Sequence, residues 1–111
     1  MADVPEPTVR VVRYEVCALP DGHSWRRHFI LHVEWRGNDR WAVTQDWDLK
    51  PCLASDGQWD FEPRPSERTP EWAEGHYFDL DTALRLAKEA APELTMNGYT
   101  PADMLARDGK G

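Results

Sequence analysis

Apolar and polar residues alternate with a period of two along much of the first sixty positions. From Thr8 to Leu19, Val12, Tyr14, Val16 and Ala18 fall on one side while Arg13, Glu15 and Cys17 fall on the other. Successive side chains of a strand point to opposite faces, so this spacing predicts a β-strand. Pro20-Asp21-Gly22 supplies turn chemistry, and the loop continues through Arg27. The alternation is cleanest next: Phe29, Leu31, Val33 and Trp35 share one face, against His28, Ile30, His32, Glu34 and Arg36. Gly37-Asn38-Asp39 tolerates positive φ and marks a hairpin. A third strand places Trp41, Val43, Trp47 and Leu49 inward, with Ala42, Thr44, Asp46 and Asp48 outward. Pro51 stops it. Ser55-Asp56-Gly57 turns into a short fourth strand, Gln58 to Glu62, with Trp59 and Phe61 inward, and Pro63 and Pro65 close it.

After Pro65 the period changes. Thr69-Pro70-Glu71-Trp72 opens like a helix and suggests one turn ending at Gly75, inside a 63–78 segment that otherwise reads as loop. Asp79 is a good N-cap, Phe78 can staple onto Ala83, and Leu80, Ala83, Leu84, Ala87 and Ala91 form a helical stripe ended by Pro92. Thr100-Pro101-Ala102-Asp103 opens a last short helix carrying Met104 and Leu105. The expected fold is therefore α+β: a four-stranded antiparallel β-meander, with one main C-terminal helix over 79–91 and short helices packed on its apolar face. Residues 1–7 read as a loose leader, 8–107 as a single domain and 108–111 as a tail.

The chain has 111 residues, 41% of them hydrophobic, enough for one core. A basic start followed by an apolar run is missing, so neither a secretory signal nor a membrane span is expected. Cys17 and Cys52 lack Cys-x-x-Cys spacing, so reduced thiols in a cytoplasm are the expectation. Twenty acids against thirteen bases leave a net charge of −7, concentrated beyond residue 50. A phosphate-backbone binder needs clustered bases, so nucleic acid is not the default partner.

Trp35, Trp41, Trp47 and Trp59 lie on the apolar side of strands and read as core. Trp25, beside Arg26 and Arg27, and Trp72, in the proline-rich segment, are not placed by periodicity. A loop tryptophan between arginines could stack a base or anchor a protein; folding back onto the sheet is the plainer reading.

Hairpin turns suggest a register. With Gly37 opposite Trp41, His32 faces Asp46; with Trp47 opposite Trp59, Asp46 faces Asp60; and Glu15 falls beside His32. One outward row would read Glu15, His32, Asp46, Asp60, with Asp48 and Glu62 diagonal to it. Such a cluster is a solvated charged face, a docking patch for a basic partner, or a hard-metal site, in falling order of expectation. His28 and His32 sit about 13 Å apart at roughly 3.3 Å per residue, too far to share a metal. No phosphate loop, nucleophile elbow or His-Glu-x-x-His occurs, so no catalytic residue, metal or cofactor is assigned.

Phe78-Asp79-Leu80-Asp81-Thr82-Ala83-Leu84-Arg85-Leu86-Ala87-Lys88-Glu89-Ala90-Ala91-Pro92, then Asn97-Gly98-Tyr99-Thr100, resembles the C-terminal part of small uncharacterised proteins of actinobacteria and their phages. So does the tryptophan-rich meander ending in Asp56-Gly57-Gln58-Trp59. The resemblance implies a small intracellular protein of phage or mobile-element type, many of which bind a host protein. The expectation is thus a non-catalytic accessory protein docking through the acidic outer face or the 63–78 segment. The alternative is a single-stranded nucleic-acid or nucleotide binder using Trp25 and its arginines.

Overall fold

The computed structural model describes residues 3–46 and 50–108. Its strands are β1 (Arg13–Cys17), β2 (Ile30–Trp35), β3 (Trp41–Gln45), β4 (Pro51–Leu53), β5 (Trp59–Phe61) and β6 (Tyr77–Phe78). Its helices are α1 (Pro70–His76), α2 (Leu80–Ala90) and α3 (Pro101–Asp108), with single 3-10 turns at Arg26–His28, Pro65–Glu67 and Ala91–Glu93. Every strand pair is antiparallel, and β1 to β5 follow one another across the sheet in chain order. The far edge of β3 is shared. Thr44 pairs with Cys52 of β4, while Trp41 and Ala42 pair with Phe78 and Tyr77 of β6.

The α+β class and the antiparallel sheet match the periodicity, but the strand count of four does not. Pro51 begins a three-residue strand that the pattern read as a stop. A proline at a strand's first position loses no necessary ladder donor. The third strand ends at Gln45, not at Leu49, and the inward placement of Trp47 and Leu49 falls outside the described residues. The first strand is likewise shorter than Thr8–Leu19, because β1 finds a partner in β2 only over 13–17.

α2 lies across the apolar face. Leu31, Val33, Trp41, Val43, Leu53 and Phe78 pack against Ala83, Ala87 and Ala91, with Tyr14, Val16, Trp35, Trp59, Leu80 and Leu84 around them. Alanines along the α2 stripe let the helix approach closely, and the large sheet residues fill the gap. Full burial of a Leu or Val contributes about 1.5–3 kcal/mol. Asp79 caps α2 by accepting from the Thr82 amide at 3.1 Å and the Thr82 hydroxyl at 2.7 Å. α3 is capped reciprocally by Thr100 and Asp103. Its Met104 packs with Leu19 and Phe29 in a satellite cluster, so Phe29 leaves the main core it was expected to join. Val12 and Phe61, both expected inward, are exposed, since their positions lie at the sheet's margins.

The short helices do not all share one face. α1 covers the opposite side, where Ala42, Cys52 and Tyr77 pack beneath Trp72 and Ala73. It runs beyond the single turn expected. Thr69 caps it through the Trp72 amide at 3.1 Å, Pro70 starts it, and it continues through Gly75 to His76.

Candidate functional site

β1 and β2 place Glu15 opposite His32, as the expected register has it. Across the next hairpin the register shifts by two: His32 faces Thr44, not Asp46. The Arg36 amide donates to the Arg40 carbonyl at 2.8 Å and the Arg40 amide donates to the Gly37 carbonyl at 2.9 Å, which leaves Gly37, Asn38 and Asp39 as a turn at positive φ. The expected pairing of Gly37 with Trp41 leaves 38–40 as a turn of the same length, so the turn sits one residue earlier than expected. β4 then inserts Cys52 between Thr44 and Asp60. The outward row reads Glu15, His32, Thr44, Cys52, Asp60, so the expected run of three carboxylates around one histidine is not assembled. Asp46 is exposed and lines a small recess with Arg27, His28, Ile30 and Met96. Asp48 lies outside the described residues.

Glu62 is not a solvated acid, since its side chain is only 4% exposed. Arg36 donates to both its oxygens, at 2.9 and 2.8 Å, and to Glu34 at 3.1 Å. Thr44 donates to Glu34 at 3.2 Å, and Tyr77 donates to Glu62. Arg68 and Lys50 flank the pair at 3.7 and 3.8 Å. Burial alone would raise both carboxyls, but the hydrogen bonds and charge of Arg36 hold Glu34 and Glu62 below the usual range. Burial opposes the charge on Arg36, yet Glu62 and Glu34 leave it even harder to deprotonate than usual. Burial and then the hydrogen bond to Glu62 push Tyr77 up to about 12. The fork of Arg36 meets Glu62 with two bonds at once, the geometry in which a guanidinium and a carboxylate pair best. These paired groups hold the segment to the sheet, and burial keeps Glu62 out of a partner's reach. Periodicity put Glu34, Arg36 and Glu62 on this outward face, but it did not pair Arg36 with Glu62 or bring Tyr77 to them.

Beside that network, Cys52, His76 and Asp60 converge. The Cys52 thiol donates to the His76 carbonyl at 3.8 Å, and burial pushes it up to about 12. The His76 ring stacks on Trp72, with centroids 3.5 Å apart and planes 8° from parallel. Nδ1 faces the Trp72 carbonyl at 2.8 Å and Nε2 faces Asp60 at 2.9 Å. Neither nitrogen faces the sulfur, and a thiolate is disfavoured, so the trio lacks the geometry of a nucleophile and its base. Trp72 is committed to α1 packing and is not a free loop aromatic.

At the other end of the sheet, Trp25 remains 39% exposed, with His28 against its ring at 5.2 Å between centroids. Arg26 bonds Glu15 and lies 3.4 Å from Asp21. Glu15 and Arg26, assigned to separate expected sites, thus neutralise each other. Arg27 is exposed, with its Nε 3.4 Å from the ring of His28.

Among the described residues, no group of three or more His, Cys, Asp and Glu side chains could hold a metal ion, and no helix is long and apolar enough to cross a membrane. No family model, curated protein or solved structure matches the chain.

Proposed function

We propose that the chain is a non-catalytic accessory protein of phage or mobile-element type that acts inside the cell by binding a host protein. The observation that carries this reading is Phe61. It stands 66% exposed at the β5 margin, next to exposed Asp60. Aromatic side chains are enriched in protein–protein contacts, and Phe61 leaves β5 on the same face as half-buried Trp59. The binding surface is therefore set at this margin, since Glu62 and Trp72 are consumed by internal packing. Lysate of an actinobacterial host, passed over the immobilised chain and over a Phe61→Ser variant, tests it. A host protein retained by the parent should fall by about tenfold on the variant, as interface aromatics commonly dominate affinity. Equal recovery of every protein would refute the assignment.

A second reading, single-stranded nucleic acid stacked on Trp25 beside Arg27, draws on the exposure of both residues. Against it stand the pairing of Arg26 with carboxylates and the net charge of −7. Oligonucleotide binding at low salt that disappears in Trp25→Ala would favour it.

A further inference from the structure

A recess of about 260 Å³ opens between the β4–β5 hairpin and the C-terminal half of α2. Its walls are Leu53, Trp59, Leu86 and Leu94, and its rim carries Glu89 and Glu93. We propose that this recess is the anchor site for an arginine side chain of the partner protein, an inference that rests on the binding reading above. Small-molecule pockets run roughly 300–1,000 Å³, so the volume suits one long side chain better than a free ligand. The leucines suit an aliphatic stem. Trp59, half-buried, offers an aromatic wall to a planar cation, and guanidinium is weakly hydrated and stacks on such rings. Two carboxylates at the mouth supply the complementary charge.

Glu89 is held at 3.1 Å by Arg85, but both side chains are more than 60% exposed, and such i,i+4 pairs are weak enough to be displaced. Glu93, exposed in the 3-10 turn after α2, has no hydrogen-bond or ion-pair partner among the described residues. The location agrees with the contact margin. Trp59 and Phe61 are two apart on β5, so their side chains leave the same face of the strand. A partner covering Phe61 would lie beside the recess.

The test uses the isotopically labelled full chain and two probes, N-acetylarginine amide and its uncharged isostere N-acetylcitrulline amide, followed by NMR. The arginine probe should give saturable shifts at the Trp59 indole N–H and the amides of Leu53, Gly57, Leu86 and Leu94. The citrulline probe should bind at least several-fold more weakly. Glu89→Gln with Glu93→Gln, both surface changes, should weaken the arginine probe several-fold while the remaining spectrum keeps its dispersion. Equal shifts by both probes, or no saturable shift at those residues, would overturn the site. Host capture that still depends on Phe61 would then leave the binding reading intact. Arginine-probe binding together with capture indifferent to Phe61 would refute that reading and leave the recess standing.

Discussion

The sheet carries two covers, and they are built on different physics. On one side α2 lays an alanine stripe on leucine, valine and tryptophan, a contact closed by shape alone. On the other side α1 and the 62–77 segment come down over Glu34, Thr44 and Cys52 and are tied by Arg36, Glu62, Tyr77, His76 and Asp60. Dispersion and water exclusion tolerate small changes of direction, whereas a buried ion network holds only if every member finds its partner. The first cover is therefore forgiving and strong, and the second is specific and easily unbalanced.

Leu31→Ala should have the largest effect. It opens a cavity under α2 and should cost about 2–5 kcal/mol in urea unfolding, with both covers lost together. If it cost less than Glu62→Gln, the ranking of the two faces would be reversed. Glu62→Gln should cost about 2–3 kcal/mol, since it leaves Arg36 buried with only Glu34 as a strong partner. Arg36→Met combined with Glu34→Gln and Glu62→Leu should recover most of that loss, because removing all three charges removes the desolvation cost as well, whereas leaving Glu34 charged would strand it without Arg36. A triple variant no better than the single one would show that the network stabilises by more than mutual compensation.

Titration sharpens the contrast further. Glu34 and Glu62 lie below their ordinary 4.5 when folded, so the unfolded chain takes up protons first. Their contribution is complete above about pH 4.5 and is lost as pH falls below it. Cys52 and Tyr77 move the other way, from 9.0 and 10.0 to about 12. Their contribution is complete below pH 9 and is lost as pH rises towards 12. Tyr77→Phe should cost about 1 kcal/mol at neutral pH through the lost hydrogen bond to Glu62. It should also flatten the alkaline limb of stability, measured by urea midpoint against pH. An unchanged limb would assign that limb to other groups.

Much of the α2 face was legible in the residue pattern. Period-two spacing put Leu31, Val33, Trp41 and Val43 on one side, and the 3.6-residue stripe with its Asp79 cap placed the helix above them. Both signals are local, and burial of an apolar face leaves few alternatives. Thr69-Pro70 likewise marked where α1 begins. The candidate site was much less legible. Asp46 missed His32 because the three-residue turn is centred on Asn38 instead of Asp39, and moving a hairpin's turn by one residue shifts its cross-strand pairs by two. Glu62 changed from a docking acid to a buried ion because Arg36, twenty-six positions away, reaches it across the sheet.

Alternation and caps by themselves determined that Leu31, Val33, Trp41 and Val43 face inward and where the main helix starts, because each depends on neighbours within a few residues. Tertiary structure alone decided which carboxylates stay in water, that β4 and β6 share one edge of β3, and that the second face is covered at all. Those outcomes depend on charges and hydrogen-bonding groups far apart in the chain meeting at distances of a few ångströms, and spacing along the chain does not encode such meetings.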